Sequence, residues 1–200
     1  VGAIDTQSKI DEKLSQWASW GIRGIKVDFM MNDSQTRMNT YQMIASKAIS
    51  LELLVNFHGS TKPSGESRTY PNIITSEAIR GAEHYKWSEY PTAYHNCTVP
   101  FTRNVIGGMD YTPVVISTNN LNTTQAHQLA LSVVFESPMQ HFADSIDSYD
   151  SWVGLTYLNS IPCKWDETVL LDGFPGNYVT MLDAVEQTGL SEQLRIKHVL

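Results

Sequence analysis

The 200-residue sequence predicts an α/β fold that gives way to antiparallel β structure near its C-terminal end. Three observations carry that prediction. Short apolar runs of strand length alternate with stretches whose apolar residues recur at helical spacing. Those runs end on polar residues, with no glycine-rich phosphate loop after any of them. From residue 164 onward the pattern changes to alternating polar and apolar positions punctuated by Gly and Pro.

In chain order, residues 6–20 place Ile10, Leu14, Trp17 and Ala18 on one helical face, and Gly21 stops that helix. "IRGIKVDF" reads as a strand. Residues 33–50 read as a second helix, with Asp33 as N-cap and Met38, Tyr41, Ile44, Ala45 and Ala48 as its apolar stripe. "LELLVNFHG" (51–59) is the next strand. Strand, helix, strand at this spacing makes a βαβ unit and a parallel sheet. "NIITSEA" (72–78) predicts a third strand and "YTPVVIS" (111–117) a weaker fourth. Residues 123–137 form an amphipathic helix, 138–144 a short strand-like piece and 145–161 a last helix.

Two architectures satisfy this order, a (β/α)8 barrel or a doubly wound sheet. A barrel keeps its reactive residues at the C-terminal ends of its strands. Asp28, Asn56, His58 and Glu77 all fall there. A complete barrel needs roughly 200–250 residues, and only four or five strands are readable. The expectation is therefore a fragment of a longer protein. Residues 1–162 would hold the later part of a (β/α)8 barrel, and residues 163–200 the start of a C-terminal β-sandwich-type domain.

Composition narrows the partners. The net charge is −7, whereas nucleic acid and anionic membranes want clustered Lys and Arg. No window approaches the ~18–20 apolar residues of a membrane span. The opening "VGAIDTQSKIDEKL" has neither the basic start nor the apolar core of a signal peptide. Cys97 and Cys163 lack metal-type spacing and read as ordinary free thiols. Asn96–Thr98 and Asn122–Thr124 match the glycosylation sequon, a pattern that chance supplies often.

The candidate chemistry is carboxylate chemistry. Asp28 ends an apolar strand, and Asp33 is the better placed of the two for capping the following helix. Glu77 and Glu83 stand six apart in "SEAIRGAEHYKW". Two such carboxylates can share a metal, or one can donate a proton. As surface residues they would be merely solvated. An aspartate on one strand end and a glutamate near another is the minimum for glycoside hydrolysis. Tyr70, Tyr85, Trp87, Tyr90 and Tyr94 are available to line a sugar site or to fill a core. His58 sits where a strand becomes a loop. No G-x-S-x-G elbow and no H-E-x-x-H occur.

"GIKVDFM", "NFHGSTKPSGESRTYPNIITSEAIRGAE" and "CTVPFTRNVIGGMDYTP", in that order, closely resemble the catalytic barrel of glycoside hydrolase family 97, from about residue 4 to residue 182. The resemblance implies an N-terminal β-sandwich, a central barrel and a small C-terminal β domain. It implies cleavage of α-glucosides and α-galactosides, an active-site calcium ion, and a periplasmic or secreted bacterial enzyme. Inverting members carry a glutamate base directly after the histidine matching His58 and lack the strand-end aspartate. Here position 59 is Gly59 and the strand ends on Asp28, the pattern of retaining, α-galactosidase-like members. On that reading Asp28 is the nucleophile and Glu83 the general acid/base. Glu77 is a calcium ligand, and Glu83 touches the metal too. Further calcium ligands come from the N-terminal domain of the parent polypeptide. Lys26, two residues before Asp28 on the same strand face and expected beside it, and His58 are the candidates for contacting sugar hydroxyls or carboxylates. The partners are then α-linked galactosides or other oligosaccharides and the remainder of the polypeptide. An α-glucosidase on the same scaffold, or a non-catalytic carbohydrate-binding relative, are the alternatives. Intact Asp28 and Glu83 speak against the latter.

Overall fold

The computed structural model describes residues 4–87, 89–162, 164–185 and 194–199, the last six as backbone only. Cys163 lies outside the described residues. The chain divides into two compact units. One comprises residues 1–79 with 108–110, the other residues 80–107 with 111–200.

The first unit is a βαβ structure with a parallel sheet. Helix α1, Gln7–Ser19, begins where the Thr6 side chain accepts a hydrogen bond from the Lys9 N–H. It buries Ile10 and Leu14, with Trp17 and Ala18 partly buried beside them. Strand β1 follows, Gly24–Val27, and then α2, Gln35–Ser50. The cap of α2 is Ser34, not the expected Asp33. The Ser34 hydroxyl accepts from the Arg37 N–H at 3.3 Å, three residues on, which is where an N-cap side chain must reach. Tyr41, Ile44, Ala45 and Ala48 are buried as the apolar stripe requires, and Met38 packs at the edge of the same core. Strand β2, Leu54–Phe57, the single-turn α3, Glu66–Thr69, and β3, Ile73–Ser76, complete the series.

The sheet order is β1-β2-β3, with both pairs parallel. Because strand side chains alternate, Ile25, Val27, Val55 and Phe57 enter the core built on α1 and α2. Tyr41 meets Phe57 edge to face at 4.7 Å. Lys26 pairs in register with Asn56, and Asn56 with Thr75, so these three share the opposite face.

A fourth chain segment joins β3 at one point, through the parallel bridge Ser76↔Met109. The strand expected at 111–117 does not form. Thr112 and Val114 have φ of 53° and 69°, and Pro113 between them has no N–H to give a ladder.

In the second unit, Thr92 caps α4, Ala93–Thr98, and Thr124 caps α5, Gln125–Val134. Residues 138–144 are not a strand. The helix expected over 145–161 is two short ones, α6, Ile146–Asp150, and α7, Leu155–Leu158. They are separated by a turn in which the Trp152 ring folds over Gly154. A Cβ there would lie 2.3 Å from the indole. The expected antiparallel structure is β4, Glu167–Phe174, β5, Tyr178–Val185, and β6, Leu194–Val199, in that sheet order. Tyr111, Phe135 and Tyr85 are fully buried in this unit. Cys97 is a buried free thiol, as its spacing suggested. Among the described residues no helix is long and apolar enough to cross a membrane.

Candidate active site

In the first unit the polar residues at the strand ends gather at one edge of the sheet. Asp28, His58 and Glu77 each follow the last paired residue of their strands, Val27, Phe57 and Ser76. Each is followed at once by a residue in the left-handed region: Phe29 at φ 60°, Gly59 at 53° and Ala78 at 44°. The backbone therefore turns sharply away just after presenting the polar side chain. For Phe29 and Ala78, which carry a Cβ, that conformation costs about 1–3 kcal/mol and persists only where the surroundings enforce it.

Asp110 is the centre of the cluster. It follows the bridge residue Met109, and its N–H donates to the Ser76 carbonyl at 3.1 Å. It is 1 % exposed. Its Oδ2 accepts from Asn56 Nδ2 at 2.7 Å and lies 2.8 Å from Lys26 Nζ and 2.9 Å from His58 Nδ1. A carboxylate only accepts, so His58 Nδ1 carries the proton. Lys26, expected beside Asp28, thus pairs with Asp110, while its side chain remains 27 % exposed.

His58 is buried, and its Nε2 faces Glu77 Oε1 at 3.3 Å. Burial pulls its pKa down and Lys26 adds to that. The hydrogen bond with Asp110 and the charge of Glu77 outweigh both, so the imidazole titrates above its ordinary value. Both ring nitrogens are thereby turned toward carboxylates.

Glu77 is held from a second side. Its Oε2 accepts the Gly59 N–H at 2.5 Å, and its side chain is 13 % exposed. Gly59 in turn lies against Asp28. A Cβ at position 59 would stand 3.0 Å from Asp28 Oδ1, 3.1 Å from Phe29 N and 3.3 Å from Phe29 Cα. Asp28 Oδ1 accepts from the Phe29 N–H at 2.5 Å.

Glu83 belongs to the second unit. It is half-buried on a short 3-10 helix, Ala82–Lys86, and lines a cleft of about 140 Å3 with Tyr85, Ser117 and Asp144. Of the aromatics named as a sugar surface, Tyr85 is core, at 2 % exposure, while Trp87 and Tyr94 are exposed. As for calcium, Glu77 offers the hard carboxylate oxygen that the ion takes, already oriented by the Gly59 N–H. No group of three or more His, Cys, Asp or Glu suited to a metal exists among the described residues. Carboxylate oxygens of this kind suit calcium, which takes roughly six to eight oxygen ligands.

Sequence reasoning put Asp28, Glu83, Lys26, His58 and Glu77 in one site and missed Asp110; Asp28, Lys26, His58 and Glu77 belong to the first unit and Glu83 to the second. The signal was present in "GGMDYTP", an apolar residue followed by a carboxylate, as in "KVD".

Known proteins similar to this chain point to one family. The family model for Glycoside hydrolase 97 matches residues 2–79. A probable retaining alpha-galactosidase of Streptomyces bingchenggensis is 39% identical over 184 residues, 90% of this chain and 28% of that protein. A retaining alpha-galactosidase of Bacteroides thetaiotaomicron is 34% identical over 178 residues, 82% of this chain and 27% of that protein. A family 97 enzyme from Pseudoalteromonas sp. strain K8, solved with acarbose, superposes with a TM-score of 0.83 at 26% identity, over 90% of this chain and 32% of that one. The chain thus spans between a quarter and a third of the proteins it matches. Matched to relatives over nearly its whole length, the chain belongs to glycoside hydrolase family 97.

Proposed function

We propose that this chain is part of a retaining α-glycoside hydrolase, an α-galactosidase, built on a (β/α)8 barrel with a C-terminal β domain that begins at the antiparallel sheet. The observation that carries the reading is Asp28 at a parallel strand's C-terminal end, against a Gly59 whose missing side chain leaves its carboxylate room. The two curated relatives named as retaining alpha-galactosidases support it.

In this reading the Asp28 carboxylate attacks the anomeric carbon and forms a glycosyl ester. Glu83 gives its proton to the departing glycosidic oxygen as that bond breaks. Glu83 then takes a proton from water, the water oxygen attacks the anomeric carbon, and the ester bond to Asp28 breaks. Two inversions return the original configuration. Lys26 keeps its ammonium at the edge of the site, available to a sugar hydroxyl. Glu77, with Glu83, would hold calcium, which when bound orients carboxylates and sugar hydroxyls as a hard oxygen-binding ion. The neighbour solved with acarbose favours an α-glucoside as a second reading of the substrate.

Proton NMR of the full-length polypeptide hydrolysing p-nitrophenyl α-galactoside tests the proposal. α-Galactose is expected first; β-galactose first would reject retention, and cleavage of only the α-glucoside would reject the galactose assignment. Glu83→Gln is expected to slow alkyl galactosides far more than activated aryl galactosides, since only the former need a proton on the leaving oxygen. Equal losses would remove Glu83 as the acid. Chelation is expected to lower activity, with calcium restoring it; an enzyme indifferent to prolonged chelation would speak against the ion.

A further inference from the structure

Resting on the function proposed above, in which Glu83 protonates the departing oxygen, we propose that Ser117 binds a hydroxyl of the leaving-group sugar and that Asp144 is the positioning residue that aims it. A group that takes its proton from Glu83 must sit against Glu83 as it leaves. Glu83, Ser117 and Asp144 line one cleft of about 140 Å3, close to the ~150 Å3 of a cavity that takes up a benzene ring. It has room for one ring.

Residues 113–117 have strand composition but make no ladder, and their buried backbone groups still need partners. A second segment and a helix side chain supply them one by one. The Ala143 N–H donates to the Pro113 carbonyl at 3.1 Å. The Tyr149 hydroxyl donates to the Val114 carbonyl at 2.7 Å and accepts from the Asp144 N–H at 2.9 Å. The Val115 N–H donates to Oε1 of the buried Gln128 at 3.2 Å. Asp144 then fixes the end of the segment. Its Oδ2 accepts the N–H groups of Ile116 and Ser117 at 2.7 and 2.8 Å. Its Oδ1 accepts the Ser117 hydroxyl at 2.6 Å and the Ser145 N–H at 2.8 Å. Partial burial pushes the Asp144 carboxyl up, but these bonds outweigh it and hold it at about 2. The same contacts keep Val114, a β-branched residue, at φ 69°, a conformation that persists only where the surroundings enforce it.

The chemistry follows from the lone pairs. A carboxylate has about four acceptor positions, and Asp144 accepts four hydrogen bonds from its own chain. It is a strut rather than a ligand group. A serine hydroxyl ordinarily rotates to suit its partner. Ser117 gives its proton to Asp144, which fixes that rotation and turns its lone pairs away from the carboxylate. Exposed at the cleft, Ser117 is thereby an acceptor of set direction, suited to a sugar hydroxyl. Fluoride has no hydroxyl to give it.

The test compares kcat/KM of the full-length polypeptide on α-galactosyl-(1→6)-glucose and on α-galactosyl fluoride. The two substrates share the galactosyl part, and only the first releases a sugar, so the ratio of the two values isolates the leaving-group contact. Ser117→Ala is expected to lower that ratio about 3- to 10-fold, the worth of one neutral hydrogen bond. Asp144→Asn, which turns an amide donor toward donors, is expected to lower it by about the same factor. Because Asp144 acts through Ser117, the double variant is expected to be no lower than Asp144→Asn alone. An unchanged ratio in Ser117→Ala, or losses that multiply in the double variant, would overturn the proposal. If Asp144→Asn does not fold, Asp144→Glu, which keeps the charge but displaces the oxygens, takes its place with the same expectation. If only α-glucosides are cleaved, the corresponding glucosyl pair is read in the same way. If the wild-type protein cleaves no α-glycoside, the functional reading fails by itself. Saturation-transfer NMR with free glucose then tests the cleft: a signal weakened about threefold or more in Ser117→Ala supports the contact, and an unchanged one overturns it.

Discussion

Asp28→Ala in the full-length polypeptide is expected to lower turnover of α-galactosides by roughly 10⁴-fold or more, the scale on which removal of a covalent catalyst acts. No other carboxylate described at this edge of the sheet is placed to take over. Asp110 Oδ2 accepts from a lysine, a histidine and an asparagine, and Glu77 is held by the Gly59 N–H and faces His58. Alanine at position 28 leaves a space on the face of the sugar from which Asp28 attacks. A small anion supplied there should replace it. Azide is therefore expected to restore turnover and to yield the β-galactosyl azide, identifiable by its anomeric coupling. A variant that keeps near-normal activity and forms no azide adduct would show that the nucleophile lies elsewhere. The fold itself should tolerate the change, since Asp28 is not part of the buried cluster around Ile10, Leu14, Ile44 and Val55.

The sequence was most legible where burial and periodicity coincide. In α1 and α2 the apolar stripes named from spacing are the faces that pack, because a helix's core contacts follow its 3.6-residue repeat. The parallel strands were legible because four apolar-rich residues ending on a polar one leave few other readings. The α2 cap was misplaced by one residue: Asp33 and Ser34 are both good caps, and only the backbone decides which hydroxyl or carboxylate reaches the third N–H. Residues 111–117 misled for a different reason. Their Val-Val-Ile run has strand composition, but Thr112 and Val114 adopt left-handed φ, and Val114 is buried without joining a ladder. Asp110 was missed for the same cause. The element that delivers it is a single bridge at Met109, too short to leave a periodic trace. The shared character of Asp28, His58 and Glu77 as strand-end residues was readable. That a fourth carboxylate would tie Lys26 and His58 together was a matter of tertiary distance, which spacing does not encode.

Gly59→Ala is expected to lower kcat by about 10-fold, since a nucleophile displaced by a few tenths of an ångström loses less than the ~10²-fold of a 1 Å misplacement. Two costs are combined at this position and can be separated. The first is conformational: Gly59 has φ 53°, where an L-residue costs about 1–2 kcal/mol. The second is contact: the new Cβ would meet Asp28 Oδ1 at 3.0 Å and, beside it, Phe29 N at 3.1 Å. The backbone at Phe29 cannot yield easily, because Met31 N donates to the Gly59 carbonyl at 2.6 Å and ties the two loops together. The carboxylate must move instead. Gly21→Ala supplies the control, since Gly21 has φ 84° and nothing within 4 Å of the added Cβ. It should lose comparable stability in thermal melts while keeping kcat. If Gly59→Ala loses stability alone, with kcat like that of Gly21→Ala, the clearance around Asp28 is not what position 59 provides. If kcat falls as expected, position 59 serves the nucleophile by carrying no side chain against the Asp28 carboxylate. Any larger side chain there would begin with the same Cβ, so it too would require the Asp28 carboxylate to give by a few tenths of an ångström.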